Sequence, residues 1–80
     1  MDNSDKKYKK GQLVVELKAG SSVAYVTEKI LIPLGAKILD QYYRFGIVVI
    51  EVPVGEEYVW ISHLKQNTFI AHVSLNEERS

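Results

Sequence analysis

Residues 47–52, Ile-Val-Val-Ile-Glu-Val, are the stretch of this sequence with the least conformational freedom. β-Branched side chains are stiff at χ1 and pack well on a pleated surface, so the run reads as a strand. Pro53 closes it, because proline offers no N–H to a ladder. Side chains alternate along a strand. If Val48, Ile50 and Val52 face one way, Ile47 and Val49 face the other, so both faces are apolar. In a sheet covered by helices on one side the far face is ordinarily polar. An uncovered apolar face marks a surface that meets a partner.

The rest of the chain decides what surrounds that strand. Eighty residues bury only roughly 60–65% of the surface their unfolded chain exposes, which limits the protein to one core. With 46% hydrophobic and 25% charged residues the composition is globular. There is no cysteine, so no disulfide framework, thiolate metal site or thiol nucleophile is available and packing alone must hold the fold. Ten basic residues balance ten acidic ones. Nucleic-acid binding needs a surplus of cations and is not expected. No apolar window reaches the ~20 residues of a membrane helix, and the charged N-terminus is followed by no apolar signal region.

Residues 1–10 are polar and lysine-rich and are expected to form a flexible arm. From Gln12 the pattern alternates, with Leu13, Val15 and Leu17 on one face and Val14 on the other, which predicts a first strand. Gly20 breaks it, Ser21 or Ser22 offers a helix cap, and Val23, Val26, Ile30 and Leu34 recur at helical spacing. Pro33 is expected to end or kink that helix near Ile32, and Gly35 to supply the left-handed residue at its exit. Residues 37–43 and 47–52 form a hairpin across Arg44-Phe45-Gly46. Glu56 and Glu57 open a second helix, where the helix dipole favours carboxylates. Tyr58, Ile61 and Leu64 are its expected buried stripe. Residues 69–73 make a fourth strand, and residues 74–80 an extended tail without periodicity.

The order is thus βαββαβ, an α+β fold. The expectation is a ferredoxin-like four-stranded antiparallel sheet with two helices on one face, its domain spanning residues 11–73. Val14 and Leu39 are expected to join Ile47 and Val49 on the open side.

No catalytic constellation accompanies this frame. His63 and His72 lack metal-ligand spacing and read as surface or edge residues, no Gly-x-Ser-x-Gly elbow surrounds a serine, and the glycines fall singly at element boundaries. No cofactor or metal is expected, and the chain is not expected to be an enzyme. Tyr42, Tyr43 and Phe45 cluster at the hairpin end with Arg44 as the only interleaved base, unlike an RNA-stacking sheet. Trp60 and Val59 lie off the second helix's stripe and flank the core.

Three segments taken together resemble the N-terminal prodomains of subtilisin-like serine proteases, and in particular the fervidolysin-type prodomain. They are Gln12-Leu13-Val14-Val15-Glu16-Leu17-Lys18-Ala19-Gly20, then Gly35-Ala36-Lys37-Ile38, and Ile61-Ser62-His63-Leu64-Lys65-Gln66-Asn67-Thr68-Phe69-Ile70-Ala71-His72-Val73. The resemblance spans about residues 11–76. It implies a domain that docks the open sheet face on the protease, threads its C-terminal segment through the active-site cleft, assists folding and then inhibits. Carried onto this chain, Val14, Leu39, Ile47 and Val49 are the docking face. Leu75, Asn76, Glu77, Glu78, Arg79 and Ser80 are the cleft-binding tail. The partner is then a subtilisin-like serine protease, in cis or in trans. The protein would be extracellular as part of a secreted protease and cytoplasmic if free-standing. Related tails end in apolar residues, whereas Glu77, Glu78 and Arg79 are charged.

A different class of function is compatible with the same topology. An ACT-like regulatory or oligomerisation domain pairs its sheets and binds small effectors, and would show a stable dimer and ligand-dependent stabilisation.

Overall fold

The computed structural model describes residues 7–78. Their elements are β1 (Lys7–Leu17), a helix α1 over residues 23–34, β2 (Lys37–Tyr42), β3 (Ile47–Glu51), α2 (Glu57–Leu64) and β4 (Ile70–Glu78). The four strands form one antiparallel sheet in the order β2-β3-β1-β4. β3 therefore lies between β1 and β2, and β1 between β3 and β4. Each helix connects two strands that run parallel with a third strand between them.

One face of the sheet carries the core. Leu13 and Val15 of β1 and Val48 and Ile50 of β3 are wholly buried, and they cluster with Val23, Val26 and Leu31 of α1 and Leu64 of α2. Burying side chains of this size contributes about 1.5–3 kcal/mol each. The alternation in β1 and β3 thus faces the helices as their spacing predicts, and Val52 beyond β3 is buried too.

α1 is capped as expected but departs from the expected helix further along. Ser22 caps it, its Oγ accepting from the Tyr25 N–H at 3.1 Å. The middle, Thr27–Leu31, is π-helical, with the Ile32 N–H donating to the Thr27 carbonyl five residues back. This wide turn changes which residues point inward, so Thr27 and Leu31 are buried while Leu34 is exposed. It also ends two residues before Pro33, where an α-turn would set the ring against a carbonyl four residues earlier. Pro33 therefore does not stop the helix, which runs on to Leu34. The exit is at Gly35, with φ +103°. The Ala36 N–H donates to the Leu31 carbonyl at 3.1 Å and the Gly35 N–H to Ile32 at 2.9 Å, a Schellman closure.

In α2 the inward stripe is Trp60, Ile61 and Leu64, with Trp60 and Ile61 partly buried against the core. Tyr58, expected in that stripe, is 72% exposed. The helix is seated by its first residue. The Glu57 carboxylate accepts from the Gly11 N–H and the Gly55 N–H, both at 2.8 Å, which turns the 57-61-64 face toward the sheet.

Strand lengths also differ from expectation. β1 begins at Lys7, so residues 7–10 belong to the sheet and not to an arm. β4 continues to Glu78 where the fourth strand was expected to end at Val73. The two extensions pair with each other, Lys7 opposite Glu78 and Tyr8 opposite Glu77. Leu75 still faces the core, but residues 7–10 and 76–78 do not alternate in polarity, so nothing in their pattern announces a strand.

Candidate functional site

The open face of the sheet is built by cross-strand rows. The middle row runs Asp40, Val49, Val14, Ser74 across β2, β3, β1 and β4. On one side lies the row Tyr42, Ile47, Glu16, His72. On the other lie Lys37, Glu51 and Gln12, with the Asn76 Nδ2 donating to the Gln12 Oε1 at 2.9 Å. Val14, Ile47 and Val49 are partly exposed and no helix covers them. They form a small apolar strip with a polar rim.

Leu39 sits apart from those three. β2 and β3 shift register between Ile38 and Asp40, so Asp40 stands opposite Val49 and Leu39 is the extra residue of a bulge, 43% exposed. A period-2 reading of β2 through Leu39 cannot detect that insertion, since a bulge leaves two residues opposite one. The shift also brings Tyr42 onto the open face, beside Ile47. Its hydroxyl donates to the Asp40 Oδ2 at 2.8 Å. That hydrogen bond, and the charge of the carboxylate, push the Tyr42 phenol above its ordinary range. Tyr42 is the residue sequence reasoning left off this face. Tyr43 and Phe45 extend the exposed aromatic surface to the hairpin tip.

Of the expected tail, Leu75 is partly buried against the core and Asn76 is tied to Gln12. Glu77 is exposed. Leu75 to Glu78 all lie within β4. Arg79 and Ser80 lie outside the described residues, as do residues 1–6 of the expected arm.

Electrostatically the face is nearly neutral. Its one ion pair among the described residues, Lys37 Nζ to Glu51 Oε1 at 3.9 Å, is exposed on both sides and holds little free energy. Glu57 lies outside this face, in the first turn of α2. Its own backbone N–H, then that of Gly11, hold its carboxyl below the usual range. The Gly55 N–H and Lys10 add to this, and partial burial opposes it.

His63 and His72 are both exposed. Among the described residues no group of three or more His, Asp or Glu is gathered as a metal site. No helix among them is long and apolar enough to cross a membrane.

The molecule so described is an α+β domain with one sheet face covered by helices and the other bare and partly apolar. A family model described as the fervidolysin N-terminal prodomain matches residues 1–76, and the chain belongs to that family. In general terms its role is that of a protease prodomain. No curated protein and no solved structure matches the chain closely enough to count as a relative.

Proposed function

We propose that this chain is a prodomain or prodomain-like inhibitor of a subtilisin-like serine protease, acting stoichiometrically and not as an enzyme. The observation that carries the reading is the uncovered strip of Val14, Ile47 and Val49 on the two central strands, in a chain of a protease-prodomain family. These three, with Leu39 at their margin, dock on the protease. The split β-α-β connections and the strand order support reading the fold as the ferredoxin-like arrangement, which leaves one sheet face free for that contact.

The segment Leu75 to Ser80 then supplies the cleft-binding tail, Leu75 and Asn76 holding it to the sheet and residues 77–80 entering the active-site cleft as an extended strand. Backbone hydrogen bonds supply its affinity and side-chain pockets its selectivity. Docking before the protease is fully folded would also template it, the chaperone part of the role.

Incubation of the purified chain with a subtilisin-like protease tests this. Inhibition at equimolar ratio is expected, lost on deletion of residues 77–80 while the circular dichroism of the domain is kept. A chain that neither slows the protease nor speeds its refolding would refute the reading. A stable dimer with its sheet faces buried would favour the regulatory alternative.

A further inference from the structure

We infer that the N-terminal part of β1, residues 7–10, is a latch that holds the C-terminal tail on the sheet and must release it before the tail can enter a cleft. The inference rests on the inhibitory reading above for its purpose, but its structural basis is separate.

That basis is the way β1 and β4 pair. From Leu13 to Glu16 the ladder is regular, Leu13 meeting Leu75, Val14 meeting Ser74, Val15 meeting Val73 and Glu16 meeting His72. The next partners along the ladder are Tyr8 with Glu77 and Lys7 with Glu78. β1 therefore advances five residues from Tyr8 to Leu13 while β4 advances two from Leu75 to Glu77, so β1 carries three extra residues in between. Gly11 lies within them at φ +72°, its carbonyl accepting from the Val52 N–H at 2.7 Å and its N–H donating to Glu57. These bonds turn β1 toward β3 and α2 at Gly11. The outer ribbon is thereby separated from the regular ladder.

The ribbon is also made differently from the sheet. Lys7, Tyr8, Lys9 and Lys10 are all exposed, as is Glu77. A two-stranded ribbon with no buried face is marginally stable and opens independently of the core. What favours it is backbone pairing and the setting of a lysine-rich strand across from an acidic one. The last residues anchored to the body are Leu75, packed on the core, and Asn76, bonded to Gln12.

A cleft that accepts one extended segment has no room for a ribbon two strands wide, since strands lie about 4.8 Å apart. Latched and cleft-bound tails therefore exclude each other. The apparent affinity for a protease is reduced by the fraction of molecules whose tail is free. The backbone register places Glu78 across from Lys7 and Glu77 across from Tyr8.

The test compares the full chain with a variant lacking residues 1–9 and with Lys7→Glu, which keeps the length and sets like charges opposite one another. Amide hydrogen exchange at residues 77 and 78 is measured on each chain alone, and the inhibition constant against a subtilisin-like protease beside it. The full chain should protect whichever of these two amides points toward β1, since only alternate N–H groups of an edge strand face its neighbour. The deletion should raise its exchange by about tenfold and tighten inhibition by a similar factor, with a smaller change for Lys7→Glu. Both amides unprotected in the full chain, or faster exchange without tighter inhibition, would overturn the latch. Faster exchange with no inhibition by any of the three chains would instead overturn the cleft-binding reading and leave the pairing itself established.

Discussion

The two faces of the sheet use the same kinds of residue to opposite ends. Leu13 and Val14 are neighbours on one strand, as are Val48 and Val49 on another. Yet Leu13 and Val48 are sealed beneath the helices while Val14 and Val49 remain partly open. Composition does not distinguish them, and only the direction of the side chain does. An apolar residue on the helix face stabilises the fold. The same residue type on the open face adds little to the fold and is left free for a partner.

The largest break of that comparison is Leu13→Ala. It should cost about 2–5 kcal/mol in a denaturant titration, because a cavity opens beneath α1 and α2. That is a large share of the roughly 4–12 kcal/mol available to a domain of this size. Val14→Ala, one residue along, should cost under about 1 kcal/mol. Equal losses would mean that the open face is covered in solution.

Gly11→Ala comes next. A methyl group there would lie 2.7 Å from the Val52 carbonyl oxygen, on a backbone held at φ +72°. A left-handed conformation alone costs about 1–2 kcal/mol for a residue with a side chain. The total loss should reach at least about 2 kcal/mol, and a melting temperature like that of the parent chain would show that β1 does not turn there.

Substitution of Val49 sharpens the contrast from the other side. Asp40 stands opposite it, so Val49→Asp sets like charges across the ladder and Val49→Lys opposite ones. The two should bracket the parent within about 1 kcal/mol. Both should weaken inhibition of a protease, because each puts a charge into the apolar strip. Loss of fold in both would refute the division of labour between the faces.

The smallest effect concerns acid. The folded state binds the Glu57 proton less tightly than the unfolded state does, since backbone N–H groups favour its carboxylate. Its contribution is therefore complete above the ordinary carboxylate range, and it is lost as pH falls through the lowered folded value. Glu57→Gln should flatten the acid limb of a stability-against-pH curve. An unchanged limb would assign the acid response to other carboxylates.

Much of this was legible along the chain because the relevant rules are local. Period-2 spacing put Leu13, Val15 and Leu17 on one face, Ser22 capped the helix it precedes, and Gly35 took the left-handed exit. The misreadings have local silence in common. Tyr58 and Ile61 both fit a helical stripe, and the choice of Trp60, Ile61 and Leu64 was made by where Glu57 is tethered, 46 residues away at Gly11. The bulge at Leu39 is a property of the β2 and β3 pair and not of β2 alone.

What the sequence determined by itself is which residues alternate, where helices are capped and left, and that β3 has two apolar faces, because these follow from covalent geometry and nearest neighbours. What only the tertiary structure decided is the bulge that sets Leu39 aside and that residues 7–10 and 76–78 become strands at all. A strand without a core has no pattern of its own, and its hydrogen bonds are completed by residues at the far end of the chain.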